Sequence, residues 1–470
     1  MEDFEKRAFD YTHRRRLYES YETYTTSRER GLQYFEDYEL ARQQLAYLRY
    51  EDIENLENNL ISFEENFTKK GGKIIWAETP QQACEAIEKI IQQHNAYKIL
   101  KAKSATVEEI GLKNYFEKKA LPIKETDLGD FILQVLDEQA SHFIIPAQHL
   151  SKIQIANRLQ ETYPTLFAQD TASLQLDMFE EPHEITPEDI TEAVRKHLRS
   201  QYIQAEIGIT GANFLVADVG GVAITENEGN ARLLTTFPKV HIVVAGIDKV
   251  INNMSNLALH WQMLSVNATG QRLTAYNTLY TGAKQENEAD GVGEMYVVLL
   301  DNGRTKMLAD KRLRHALRCI KCGACANVCP VYRLVGGQAY QSPYSGAIGK
   351  VVNPHLFENP QHAEMSFAST LCGACEEVCP VQIDLPALIQ HNRELRNQTH
   401  TQPAQEKNIV RMWHKYMSQK KRWTAKNAKW KNNALQHFFR RTWGRRQNLP
   451  TFAQESFSEQ WEIKNNKRNA

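Results

Sequence analysis

The chain has 470 residues, 42% of them hydrophobic, and its 57 Lys and Arg balance 57 Asp and Glu. That is apolar material for about three domains of ordinary size, and zero net charge gives the whole molecule no field favouring nucleic acid or a membrane. No apolar run approaches the ~18 residues of a spanning helix, and the start, MEDFEKRAFDYTHRRR, lacks the apolar core of a secretory signal, so a cytoplasmic location is expected.

Residues 1–68 are rich in Glu, Arg and Tyr, contain no Pro, and predict polar helices serving as a surface arm. From GGKIIWA onward, short apolar runs alternate with helical patterns, the sign of an α/β domain with parallel strands over 69–302. Thr79 is placed as an N-cap with Pro80 at the first helical position. Strand-like runs follow in YKILKAKS, HFIIPAQ, FLVADVGGVAITENEGNAR, VHIVVAGIDKV and MYVVLLDNGR. No Gly-rich dinucleotide fingerprint follows a strand. Residues 303–395 carry the clustered cysteines on short helical stretches, and 396–470 form a tail of different character. Between 401 and 470 there are 16 Lys and Arg against 4 Asp and Glu, a net of +12, with Trp413, Trp423, Trp430, Trp443 and Trp461.

Two stretches carry metal chemistry. CIKCGACANVCP, 319–330, has the C-x2-C-x2-C-x3-C-P spacing that holds a 4Fe-4S cluster, in which the cysteine before proline ligates the other of two clusters. STLCGACEEVCP, 369–380, repeats it with Ser369 in place of the first cysteine. Crossing the fourth ligands assigns Cys319, Cys322, Cys325 and Cys379 to cluster 1, and Cys329, Cys372 and Cys375 to cluster 2. A structural zinc site is the competing reading, although zinc sites usually present separated CxxC pairs. Cluster 2 then has oxygen or water at its fourth iron, lacks that iron as a 3Fe-4S cluster, or takes a ligand from elsewhere; alternatively Ser369 simply caps the helix bearing CGAC. Cys84, in an amphipathic helical pattern, reads as a small buried hydrophobe.

Substrate chemistry is sought where open α/β sheets place it, after strands. TENEGNAR offers Glu226, Glu228, Asn230 and Arg232; Lys101, Lys103, Ser104, Glu125, Asp127 and His142 also follow strand-like runs. Arg232 suits a carboxylate held bidentately, and Glu228 or His142 suits a proton acceptor. The alternative is that these groups only satisfy buried loops and subunit contacts. The tail suits nucleic acid, an anionic membrane or an acidic partner, or is simply a solvated basic helix. With no folded nucleic-acid motif present, partner or membrane docking is preferred.

The two cysteine runs, with ITGANFLVADVGGVAITENEGNARLLTTFPKVHIVVAGIDKV, KAKSATVEEIGL and ETDLGDFILQ, resemble the lactate utilization protein B family over about residues 69–395, and the tail is also similar. The resemblance implies an α/β domain related to sugar-phosphate isomerases and CoA transferases, followed by a helical ferredoxin-like domain with two 4Fe-4S clusters held by the seven cysteines. It implies electron transfer in the oxidation of L-lactate to pyruvate with A and C subunits, and contact with a respiratory-chain acceptor. Gln338 and Ala347 stand where histidine and proline would be expected. A second class stays open: a hydroxy-acid enzyme in its own right, using an open iron of cluster 2 as Lewis acid or Glu228 in CoA-transferase fashion.

Overall fold

The computed structural model describes residues 2–142, 144–164, 166, 185–399, 404–419, 427–443 and 448–466. It divides into two units, Met1–Leu395 and Arg396–Ala470.

In the first unit, ten strands are described: β1 Lys73–Ala77, β2 Ile99–Lys101, β3 Lys124–Glu125, β4 Ile207–Gly211, β5 Phe214–Val216, β6 Gly221–Glu226, β7 Val240–Gly246, β8 Val250–Ile251, β9 Tyr276–Tyr280 and β10 Glu294–Leu300. Six of them form a parallel sheet in the order β1-β10-β7-β4-β2-β3. A parallel sheet is covered on both faces, which is why β7 reads VHIVVAG without polar alternation. Val240, Ile242 and Val244 pack into a core with Ile87, Ile90 and Phe116. Val243 and Ala245 face the opposite core, with Phe63, Phe67 and Leu198. The helix Pro80–Gln93 starts as its sequence predicts, the Thr79 side chain accepting from the Gln82 N–H.

Two strand expectations change. β5, β6 and β9 belong to a second, four-stranded sheet, β8-β5-β6-β9, with antiparallel β5–β6 and β6–β9 pairs. A short hairpin at Gly220, φ +54°, turns the chain too early for a crossover helix. The described residues of HFIIPAQ make turns instead of a strand. His142 Nδ1 accepts from the N–H groups of Ile144 and Ile145, and the Ser141 N–H donates to the Pro146 carbonyl, so the backbone bonds locally.

The expected surface arm is also corrected. Helices Tyr11–Leu32, Tyr38–Glu54 and Leu56–Lys69 each bury an apolar stripe. Leu56, Leu60, Phe63 and Phe67, at helical spacing, enter the core under the parallel sheet. Leu45 and Ile53 enter the core shared with Cys322, Cys325 and Cys379. Arg49, 1% exposed, donates to the carbonyls of Asp248, Val250, Leu317 and Arg318, binding the α/β domain to the cysteine segment. Its charge, which suggested solvent, is paired instead with buried Asp52 at 3.2 Å.

The two cysteine runs take the same backbone path. Lys321 and Leu371 lie at φ +60° and +54°, and Gly323 and Gly373, at φ +83° and +87°, open the short helices Ala324–Asn327 and Ala374–Glu377. In the second unit, helices Ala404–Met417, Ala428–Trp443 and Phe457–Asn466 leave Trp413, Trp430 and Trp461 exposed. Trp423 and the Trp443 side chain lie outside the described residues.

Candidate metal centres and an adjoining pocket

Cys319, Cys322 and Cys325 of the first run and Cys379 of the second line one small cavity. Amide N–H groups point at every sulfur: Lys321 at Cys319, Ala324 at Cys322, Ile348 at Cys325, and both Val381 and Ile383 at Cys379. Burial pushes the Cys322 thiol up to about 12 and that of Cys379 up to about 11, ahead of the opposing amides. Iron bound by these thiols would have to displace their protons, and the amides would then stabilise the resulting thiolates. Among the described residues, no three His, Cys, Asp or Glu side chains are drawn together as on a single ion; the thiols border a space instead.

Cys329, Cys372 and Cys375 form a second group. Burial raises the Cys375 thiol to about 12, and the nearby Cys329 and Cys372 add to the rise. Lys350, fully buried, donates from Nζ to Cys329 Sγ at 3.4 Å and lies 5.9 Å from the Tyr340 ring centroid. No carboxylate pairs with this ammonium among the described residues, so a neutral thiol leaves a buried charge uncompensated. An anionic iron-sulfur group held by Cys329, Cys372 and Cys375 would supply the missing countercharge. Cys372 is exposed, so the second group reaches the surface while the first is mostly buried.

Ser369 is not a helix cap. The N-cap of Ala374–Glu377 is Gly373, and Ser369 Oγ accepts from the Leu371 N–H at 3.2 Å. Cys319 Sγ accepts from the Lys321 N–H in the corresponding place. The serine hydroxyl thus holds the local position of the absent thiol. Cys84 is buried with its thiol on the Ile110 carbonyl, away from both groups.

A pocket of about 260 Å³ opens at the carboxyl ends of β2, β3, β4 and β7, where parallel sheets bind ligands. The fold brings Lys103, Ser104, Asp127, Glu226, Glu228 and Asn230 to it. Several are committed. Lys103 donates to the Ile144 carbonyl, Asp127 caps the helix Leu128–Leu136, and Glu226 accepts from the N–H groups of Ala231 and Arg232. Glu228 is exposed, its carboxylate accepting from the Asn227 N–H.

Other candidates fall elsewhere. Arg232 is exposed with its guanidinium 5.4 Å from the Tyr276 ring centroid, and it does not line the pocket. His142 packs on Tyr332 and does not line the pocket; burial, with Lys103 nearby, pushes its imidazole down to about 3. Lys101 and Glu125 form a buried ion pair joined by Glu108. Gln338 donates to the Gln139 carbonyl and meets His149 Nε2 at 2.9 Å.

Sequence reasoning missed Lys249, Ser265, Lys321 and Tyr344, which complete the pocket wall. The available signals were the lysine inside CIKC and the one ending VHIVVAGIDK. Beneath them, Arg304 pairs bidentately with Glu109 at 2.8 Å and with Asp248 at 2.5 Å, and Tyr344 donates to Glu109 at 2.6 Å.

A family model described as the LUD domain matches residues 60–300, and one described as a 4Fe-4S dicluster domain matches residues 315–383. The chain is 39% identical over 389 residues to lactate utilization protein B of Macrococcus caseolyticus (strain JCSC5402), covering 82% of this chain and 78% of that one. It is 39% identical over 362 residues to the Bacillus subtilis (strain 168) protein of the same name, covering 77% and 72%. It is 37% identical over 369 residues to the uncharacterized electron transport protein YkgF of Escherichia coli (strain K12), covering 78% and 74%.

Proposed function

The chain belongs to the lactate utilization protein B family, and on that premise we propose that it carries electrons through two 4Fe-4S clusters during oxidation of L-lactate to pyruvate. Cys319, Cys322, Cys325 and Cys379 hold one cluster in this reading; Cys329, Cys372 and Cys375 hold the other, with the Ser369 hydroxyl at the fourth position. The observation that carries it is the cavity in which Cys379 of the second run joins three cysteines of the first. Bound clusters each accept and release one electron at a time, so a pair matches the two electrons that a 2-hydroxy acid releases.

The chain's own residues insulate and bias these centres. Five amides face the first sulfur set, Lys350 sets a positive charge against the second, and exposed Cys372 marks where electrons reach the surface. A and C subunits are the proposed partners, and the basic Trp-bearing tail is the proposed contact with an acidic partner or membrane-bound acceptor. Among the described residues, no helix is long and apolar enough to cross a membrane.

Anaerobic iron and sulfide analysis with electron paramagnetic resonance tests the reading. It expects about eight irons, or about seven with a three-iron second cluster. Stoichiometric zinc with negligible iron overturns it.

A further inference from the structure

The pocket beside the first cysteine group holds donors without partners. Lys249, 8% exposed, makes no hydrogen bond or ion pair with a described residue; its neighbour Asp248 is committed to Arg304. Ser265 is fully buried and its hydroxyl also lacks a hydrogen-bond partner. Lys321 brings a second ammonium, 4.4 Å from the Tyr344 ring centroid, and the Lys249 and Lys321 charges oppose one another. Buried donors left unpaired cost stability unless something accepts from them. The nearby acceptors are unsuited to that role, since Glu226 is tied to its helix and Glu228 is exposed.

We propose that this pocket binds a small 2-hydroxy or 2-oxo monocarboxylate, its carboxylate between Lys249 and Lys321 and its 2-oxygen accepting from Ser265. A volume of about 260 Å³ has room for such an acid. Lys321 links the ligand to the metal centre, because its backbone N–H donates to Cys319 Sγ. The identity of the acid rests on the electron-transfer reading above; the anion site itself does not.

Calorimetry on anaerobically purified holoprotein with pyruvate, L-lactate and uncharged methyl pyruvate tests the site. The acids should bind, and the ester at least about tenfold more weakly, the scale of one charge-assisted hydrogen bond. Lys249→Met should weaken the acids by about the same factor and Ser265→Ala by a smaller one. Both variants should melt no lower than the parent, since each removes a buried polar group that lacks a partner. Pyruvate should also perturb the resonance of the first cluster in the parent and not in Lys249→Met. Equal binding of ester and acid, undiminished binding by both variants, or no binding at millimolar acid overturns the site. Failure to bind with iron in place rejects the pocket alone, whereas binding to a protein that never holds iron rejects the electron-transfer reading and leaves the pocket standing.

Discussion

Replacing Arg304 with Met should destabilise the protein in a way that depends on pH. Arg304 is buried with its side chain 3% exposed and is the counterion of both Glu109 and Asp248. Met keeps most of the stem and removes the charge, stranding two buried carboxylates, a loss of about 3–5 kcal/mol at neutral pH. Burial raises the Asp248 carboxyl, but Arg304, with Lys321 and Lys249, outweighs it and holds it at about 2 against an ordinary 3.8. A depressed folded value adds stability above the unfolded value and loses it as pH falls from 3.8 toward 2. At ~1.36 kcal/mol per pH unit, Asp248 accounts for about 2 kcal/mol of the total. Without Arg304, burial dominates and both carboxyls move up, so protonation relieves the variant on acidification while the parent gains nothing. Urea midpoints of parent and variant, measured anaerobically by tryptophan fluorescence at about pH 7 and about pH 5, should show a deficit that narrows at the lower pH. A deficit equal at both values would assign the loss to stem packing and refute the charge argument.

Cys329→Ala should leave the second group with two thiols and abolish its cluster, lowering iron by about four per chain, whereas Cys379→Ala leaves three thiols and should yield a labile or three-iron centre. Iron analysis with electron paramagnetic resonance separates them, and identical losses would reject the crossed assignment. Ser369→Cys should retain iron and shift the potential of the second cluster in a redox titration; unchanged potential and spectra would place the fourth ligand elsewhere. Deleting residues 401–470 should leave iron content unchanged and weaken association with partners or anionic vesicles as high salt does, since exposed charges are screened beyond ~8 Å at physiological ionic strength. Salt-independent association of both forms in co-sedimentation would dismiss the tail as a docking element.

The cysteine spacing, the parallel strands and the capped helix after Thr79 are legible in the residues because each is a local pattern. A C-x2-C-x2-C run places three thiols within two turns of chain whatever surrounds it, and an apolar run such as VHIVVAG declares a strand covered on both faces. The helices of residues 1–68 misled because Arg and Glu crowd their outer faces, while burial depends on the narrow stripe beneath, from Leu17 to Phe67. The pocket depended on distance-spanning contacts. Glu228 and Arg232 are four residues apart, yet only the first lines it; Lys249, Ser265 and Lys321 meet there from a sheet end, a helix and a cysteine loop. Their meeting follows from the strand order β1-β10-β7-β4-β2-β3 and from Arg49 joining the two domains. Hydrophobic period and ligand spacing are properties of neighbours in the chain, so sequence alone determined the elements and the metal chemistry. Which polar groups are left buried without partners is set by packing between remote segments, and only the tertiary structure decided it.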